Sequence, residues 1–234
     1  VVYINSPEIN ILTVEDPVEY TLPGVGQIEV KSKIGMTFAA GLRSILRQDP
    51  DVIMIGEIRD GETAGIAVQS SLTGHLVLST LHTNDSASTI TRLDDLDIQP
   101  FQIASAILGV MAIRLIRKLC SECKVQHTLT PEELEVMGLT EGDVKGKKIY
   151  APGPGCEHCH QQSYSGRLGI HELLVMDDAM RALIMKTQDA AAIRKQAESA
   201  GLTTLRQSAV QKVLNGLTSV EEAISKTQTE ELEV

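Results

Sequence analysis

Three short apolar runs near the amino terminus of the chain each end in a charged or polar residue. The runs and the residues that follow them are Ile9–Val14 before Glu15, Val52–Gly56 before Glu57, and His75–Leu81 before His82. Short apolar runs are typical of strands that a parallel sheet buries on both faces. Parallel strands joined by helices bring their carboxyl ends to one edge of the sheet. The pattern therefore predicts an α/β core with Glu15, Glu57 and His82 at one edge, although any one of them alone is more often structural.

Apolar periodicity and capping residues predict helices around and after these strands. Thr37 and Asp60 are suitable N-caps for the first two helices. Helices are expected at 37–48, 60–72, 85–96, 100–119, 178–186, 189–200, 203–215 and 218–225. The prediction of a helix at 100–119 is based on an apolar stripe at helical spacing, which consists of Ile103, Ile107, Leu108, Met111 and Leu115. The polar tail at 227–234 is expected to fray.

All four cysteines occur in two pairs of Cys-x-x-Cys spacing, Cys120 with Cys123 and Cys156 with Cys159. This spacing lets both sulfurs of a pair bind one ion from a tight turn, and four thiolates suit tetrahedral zinc. Disulfides are disfavoured in a reducing cytosol, and no thioredoxin-like pattern supports two redox pairs. We therefore expect a structural zinc site. A short helix is expected between the pairs, from Thr130 to Gly138, and His127, His158 and His160 are expected to be solvated rather than ligands.

Three motifs in a fixed order resemble those of the type II secretion and type IV pilus assembly ATPases. Thr13–Tyr20 resembles that family's aspartate box, Leu46–Asp60 its Walker B motif and Thr73–Thr83 its histidine box. The resemblance continues through the cysteines to about Val220, and the cysteines favour the secretion and pilus-extension branches over retraction motors. It implies a RecA-like, mostly parallel sheet core, truncated at its amino terminus, at 1–117. A tetracysteine zinc module at 118–172 and a C-terminal helical subdomain at 173–234 would follow.

The resemblance also implies roles for the residues at the sheet edge. Glu57 would organise the Mg²⁺ of bound ATP, Glu15 would orient or activate water, and His82 would sense the γ-phosphate. Which of the two glutamates is the general base stays open. Further nucleotide- or magnesium-binding candidates are Asp16, Glu19, Arg43, Arg47, His75 and Arg167. For Arg43 and Arg47 the alternative is a solvated basic stripe on a helix, and His75 could be a satisfied core residue.

The family's phosphate-binding loop is missing, because no Gly-x-x-x-x-Gly-Lys-Ser/Thr occurs in the chain. In the family that loop precedes the first predicted strand. We therefore expect the chain to be the carboxyl-terminal portion of a longer motor. Without the loop's backbone amides to hold the phosphates, this portion alone should bind ATP weakly or not at all and be inactive.

Charge and composition limit the possible partners. The net charge is −10, from 21 basic and 31 acidic residues, and aromatic residues make up 3% of the chain. The negative charge argues against non-specific nucleic-acid binding and against attraction to anionic lipid, although a local basic patch stays open. The scarcity of aromatic rings argues against base-stacking platforms. No apolar run is long enough to span a membrane.

The resemblance then implies a cytoplasmic homohexamer at the inner-membrane face. It would be attached through an inner-membrane platform protein and a recruiting membrane protein, and it would drive pilin or pseudopilin assembly. The open alternatives are a conjugation-type or DNA-acting RecA-like ATPase, and a non-enzymatic zinc-containing adaptor.

Overall fold

The computed structural model describes residues 1–227, so most of the predicted tail lies outside the described residues. The chain forms two compact units. Unit 1 consists of residues 1–83, 87–109 and 175–196, and unit 2 consists of residues 84–86, 110–174 and 197 onward. No helix among the described residues is both long and apolar enough to cross a membrane.

Helices alternate with strands over 26–95 in unit 1, whereas unit 2 contains an antiparallel strand pair, Val125–His127 with Ile149–Ala151, and short helices. The strands are β1 Ile11–Glu15, β2 Gly26–Glu29, β3 Val52–Ile55, β4 Leu76–Ser79, β5 Gly109–Leu119, β6 Val125–His127, β7 Ile149–Ala151 and β8 Tyr164–Val175. The helices are α1 Phe38–Ile45, α2 Gly61–Leu72, α3 Ser88–Asp95, α4 Pro100–Ala106, α5 Pro131–Met137, α6 Glu141–Val144, α7 Asp178–Ile184, α8 Ala190–Ser199, α9 Leu205–Leu214 and α10 Val220–Ser225.

Unit 1 contains a four-stranded sheet in the order β2-β1-β3-β4. All neighbouring strands are parallel, so the predicted α/β class and parallel sheet are confirmed. Val14 of β1 pairs with Ile55 of β3, and Ile55 pairs with Ser79 of β4. The three predicted strands therefore end level with one another. The edge strand β2 was not predicted.

The N-caps predicted for the first two helices are present. The Thr37 side chain accepts a hydrogen bond from the backbone N–H of Ala40, and Asp60 accepts one from Thr63. These bonds satisfy amide groups that have no partner within the first turn of a helix. The two caps therefore set where α1 and α2 begin, after the loops that follow β2 and β3.

The predicted helix at 100–119 is wrong beyond residue 106. Helix α4 ends at Ala106, and Gly109–Leu119 form strand β5, which pairs with β8. Met111 and Leu115 lie four apart, as in a helical stripe, but with Ile113 they also alternate with period two. The structure follows the second pattern, and these three side chains are exposed on one face of the strand. Gly109 and several β-branched residues also favour an extended chain here.

Unit 2 has its own hydrophobic core. Ile116 of β5 and Ile170 of β8 are fully buried there and belong to one cluster with Ala209, Val213 and Ala223 of helices α9 and α10. Helix α5 begins and ends as predicted, because Thr130 and Glu133 form a capping box and Gly138 ends it in a left-handed conformation.

The division into two units differs from the expected three-part domain plan at 173–234. Helix α7 packs on α4 within unit 1, where the Arg181 guanidinium donates to the carbonyl oxygen of Ala104. The segment 175–196 is therefore part of the unit that contains the parallel sheet. Helices α9 and α10 pack against each other in unit 2.

Candidate functional site

An open cleft of about 320 Å³ lies at the carboxyl edge of the parallel sheet. The acids Glu15, Asp16, Glu19 and Glu57 line it together with the ends of β3 and β4. Because β1 and β3 are parallel and in register, the residues that follow them emerge at the same edge. The structure thus brings together four of the acids that the sequence singled out.

Glu57 is bound on both carboxylate oxygens. Arg59 donates from Nη2 to Oε1 and from Nε to Oε2, both at 2.6 Å. His82 Nε2 lies 3.2 Å from Oε2. Hydrogen bonding to Arg59 holds the pKa of Glu57 below its ordinary value. The Glu57 side chain is only 13% exposed, whereas His82 is 83% exposed, so the imidazole covers the acid from the solvent side.

Glu15 has a different environment. Its Oε1 accepts a hydrogen bond from Thr13 Oγ1 at 2.5 Å and a second from Gln27 Nε2 at 2.8 Å. Thr13 is fully buried in β1, and Gln27 lies beside it on β2. Among residues 1–227 no group donates to the second oxygen of Glu15.

The loops that form the cleft are tied to each other. The Thr80 hydroxyl donates to the carbonyl oxygen of Gly56 at 2.7 Å. The backbone N–H of Ile58 donates to the carbonyl oxygen of Thr80 at 2.9 Å. These bonds join the segment after β3 to the segment after β4, which keeps Glu57 near His82.

Three predicted nucleotide ligands do not line the cleft. Arg43 pairs with Glu62 of helix α2, and Arg47 donates to the carbonyl oxygen of Arg43. His75 precedes β4 and therefore lies at the amino edge of the sheet, where its Nδ1 is 2.9 Å from the carbonyl oxygen of Ser70. His75 and the acids of the cleft therefore lie at opposite edges of the sheet, because a residue before a parallel strand and a residue after it do so, and a nucleotide-binding role for His75 stays a prediction.

Arg167 belongs to unit 2, on strand β8. With Arg117, Glu222 and Lys226 it lines a second cleft of about 370 Å³. Arg117 and Glu222 form an ion pair across this cleft, with Nη2 2.6 Å from Oε2. The approach of Arg167 to a nucleotide stays a prediction from the family resemblance.

The four cysteine sulfurs lie within 4.8 Å of one another. Three of the separations are 3.7 Å for Cys120–Cys156, 3.8 Å for Cys123–Cys159 and 3.7 Å for Cys156–Cys159. A tetrahedral Zn²⁺ with bonds of about 2.3 Å holds its sulfurs about 3.8 Å apart. The cysteines are free thiols with no disulfide between them. The donor set and its spacing therefore fit zinc.

Backbone amides support this cluster. The N–H groups of Cys156 and Ser163 donate to Cys159 Sγ at 3.3 and 3.2 Å. Although desolvation raises it, these bonds lower the pKa of the Cys159 thiol to about 6. Desolvation and contact with the other sulfurs raise the pKa of Cys123 to about 12. Metals bind thiolates, and N–H groups that face a sulfur stabilise its negative charge.

Sequence reasoning missed Arg59, Thr13 and Gln27. Arg59 carried a usable signal, since it lies two residues after Glu57 and can reach back to it. Thr13 lies two residues before Glu15 and therefore on the same face of β1. Gln27 carried no signal, because its strand was not predicted.

The fold and the site define a class: an α/β protein with a parallel sheet and a cluster of acids beyond the carboxyl ends of its strands, where such sheets bind ligands. Residues 1–225 match the family model described as "Type II/IV secretion system protein", and the chain belongs to this family. The resemblance found in the sequence is thereby confirmed.

Relatives and a solved structure agree with this assignment. The chain is 49% identical to the type IV pilus assembly ATPase PilB of Thermus thermophilus, over 96% of this chain and 25% of PilB. It is 50% identical to type II secretion system protein E of Pectobacterium carotovorum, over 97% of this chain and 44% of that protein. The crystal structure of the pilus retraction motor PilT with bound ADP matches with a TM-score of 0.70 at 27% identity, over 97% of this chain and 55% of PilT. The chain thus spans less than half the length of the two curated relatives, PilB and type II secretion system protein E.

Proposed function

We propose that this chain is the carboxyl-terminal part of a cytoplasmic hexameric ATPase that drives pilin or pseudopilin assembly, in type II secretion or type IV pilus extension. The observation that carries the proposal is the gathering of Glu15, Asp16, Glu19 and Glu57 around one cleft, with His82 against Glu57. The names of the relatives support the ATPase activity. A non-enzymatic adaptor would leave this cluster of acids without a purpose.

The acids fit Mg²⁺, which prefers carboxylate oxygens and water as ligands. Glu57 would hold the ion through water, and Asp16 and Glu19 would add negative charge at the same edge. When bound, the magnesium of MgATP neutralises charge that develops on the phosphates. Hydrogen bonds from the Arg59 guanidinium favour the ionised form of Glu57, and Glu15 would offer an oxygen to water. The exposed imidazole of His82 would sense whether a phosphate is present.

The phosphate-binding loop would come from the rest of the longer protein. Strand β4 is at an edge of the sheet, and its Leu76 and Leu78 side chains are 39% and 36% exposed. Unpaired edge strands with exposed apolar side chains favour pairing with a further strand. A strand, loop and helix from the remainder of the protein would cover this edge and add the missing amide groups. The chain alone would then bind ATP weakly and turn over none.

The four cysteines would hold one structural Zn²⁺. Cys120 and Cys123 lie between β5 and β6, and Cys156 and Cys159 lie between β7 and β8. One ion would join these two turns, and four protein ligands leave no open position for catalysis. Attachment to the inner membrane would run through a platform protein and a recruiting membrane protein.

The test is Glu57→Gln in the full-length protein. ATP turnover should be abolished while nucleotide binding is largely retained, because the change removes one charge and keeps the shape. Glu135→Gln, the same substitution at an exposed residue of α5, should leave turnover unchanged. Retained turnover in Glu57→Gln would remove Glu57 from the mechanism.

A further inference from the structure

Two neighbouring side chains fix one oxygen of Glu15. The Thr13 hydroxyl and the Gln27 amide both donate to Oε1, at 2.5 and 2.8 Å. Thr13 and Gln27 are themselves directly paired across β1 and β2. Because Thr13 is fully buried and Gln27 is half-buried, the two donors come from the sheet itself rather than from a mobile loop.

Gln27 is held in turn by the loop that carries Asp16 and Glu19. Its Oε1 accepts a hydrogen bond from the backbone N–H of Leu22 at 2.7 Å, and its Nε2 donates to the carbonyl oxygen of Tyr20 at 3.1 Å. A backbone N–H can only face the amide oxygen, and a carboxylate or carbonyl can only face the amide nitrogen. These partners therefore fix the orientation of the Gln27 amide, so that its nitrogen, rather than its oxygen, faces Glu15.

We propose that Thr13 and Gln27 are positioning residues that hold the Glu15 carboxylate by one oxygen and leave the other for the attacking water. The proposal deepens the function proposed above and rests on it. Glu57 differs in that both of its oxygens are contacted, by Arg59 and His82, so that neither is left without a protein partner as the second oxygen of Glu15 is among residues 1–227. Two donors on one oxygen restrict the rotation of the carboxylate, and small displacements of a reacting group can cost about 10²-fold in rate.

The first test compares two substitutions of Thr13 in the full-length ATPase. Thr13→Val removes the hydroxyl at almost constant volume, whereas Thr13→Ser keeps it. We expect Thr13→Val to lower kcat about 10-fold with an unchanged Kd for nucleotide, since a group that orients water acts mainly in the transition state. Thr13→Ser should restore most of kcat. A purely structural role would lower the melting temperature without separating kcat from nucleotide binding.

The second test uses the pH–rate profile of Gln27→Glu. This change puts a carboxyl where the amide nitrogen lies, within hydrogen-bond distance of Glu15. Two carboxyl groups that share a site cannot both ionise easily, so their apparent pKa values separate and the upper one rises. A base must be deprotonated to act, so the acidic limb of kcat should move to higher pH. Gln27→Met, which has similar size and no charge, should lower kcat without that movement.

The outcomes distinguish a failure of the positioning role from a failure of the proposed ATPase function on which it rests. A wild-type full-length protein without ATP turnover would overturn the proposed function itself. An active wild type in which Thr13→Val matches Thr13→Ser in kcat would overturn the positioning role alone. If Thr13→Val fails to fold, Gln27→Glu still provides a test, because Gln27 is half-buried on the edge strand β2 and the variant should fold. An acidic limb that does not move in this variant would overturn the positioning role.

Discussion

The guanidinium of Arg59 spans both carboxylate oxygens of Glu57, from only two residues away along the chain. A planar guanidinium suits this two-point contact, which a lysine ammonium cannot reproduce. The same edge of the sheet thus presents two acids, Glu57 and Glu15, whose hydrogen-bond partners differ. Glu57 is paired and its pKa is lowered, which suits a group that must remain charged beside a metal. Among residues 1–227 no group donates to the second oxygen of Glu15, which suits a group that must orient or activate water.

Replacing Arg59 should change the pH dependence of turnover. Arg59→Gln removes the guanidinium, whose hydrogen bonds and charge lower the pKa of Glu57, so that pKa should rise toward its ordinary value. If ionised Glu57 is required, ATP hydrolysis by the full-length variant should then fail at a higher pH as the solution is acidified. A pH–rate profile measures this shift. Arg59→Lys keeps the charge without the two-point contact and should shift the acidic limb less; identical limbs in all three proteins would contradict the role.

The carboxyl-edge acids could be predicted because strand direction and register follow from a simple pattern. Continuous apolar runs indicate buried parallel strands, and parallel strands end at one edge. The same rule places His75, which precedes its strand, at the other edge. Arg43 was placed correctly on a helix, but its pairing with Glu62 depends on the packing of α1 against α2, which no local pattern shows.

Two parts of the fold could not be read from local sequence. Strand β2, Gly26–Glu29, has a single large apolar side chain, Ile28, and it exists because β1 offers it a pairing edge. The segment Gly109–Leu119 fits a helix as well as a strand by apolar spacing. Pairing with β8 decides between them, and that partner lies far along the chain. In both cases the deciding interaction is non-local.

Metal removal should destabilise unit 2. The proposed site would bind about one Zn²⁺ per chain through four thiolates, so Cys159→Ser should lose most of the metal and lower the melting temperature. A chelator should have the same effect on the wild type, because binding energy at such sites is folding energy. Metal analysis and thermal unfolding measure both. His158→Ala, next to a ligand but not one itself, should keep its metal; a metal-free protein that remains well folded would count against the zinc site.

The Glu222–Arg117 pair should contribute to stability in a pH-dependent way. Glu222 is 1% exposed and accepts hydrogen bonds from the Arg117 backbone N–H at 2.9 Å and from its Nε at 2.7 Å. Glu222→Gln puts an amide N–H against these donors, and we expect a loss of about 1.5–3 kcal/mol near neutral pH. Urea denaturation followed by far-UV circular dichroism measures it. Glu221→Gln, on the adjacent exposed residue, should cost much less.

The sign of the pH effect follows from the pKa of Glu222. Desolvation raises this pKa, but the hydrogen bonds from Arg117 outweigh it, so the pKa in the folded chain is lowered. A carboxyl of this kind stabilises the fold above its unfolded pKa, about 4.3, and loses that contribution as the pH falls through the folded value. The difference between wild type and Glu222→Gln should therefore shrink in acid. A difference that stays constant from pH 7 to acid would contradict the ionic role.

Two helical glycines on neighbouring helices should respond oppositely to the same substitution. A Cβ at Gly41 in α1 would lie 2.9 Å from Cγ1 of Val14, which is fully buried and immediately precedes Glu15. A Cβ at Gly65 in α2 would meet nothing within 4 Å. Alanine is favoured over glycine within a helix by about 0.5–1 kcal/mol, so Gly65→Ala should stabilise the chain by up to that amount. For Gly41→Ala, overpacking of about 1–3 kcal/mol should exceed the helix gain and destabilise it. Urea denaturation followed by far-UV circular dichroism suits the comparison, because the chain has no tryptophan.

Since the displaced Val14 carries the strand end on which Glu15 lies, Gly41→Ala should also lower ATP turnover in the full-length protein. Equal stabilisation by both substitutions would show that β1 yields to α1, and the packing that fixes Glu15 would then be looser than the structure indicates.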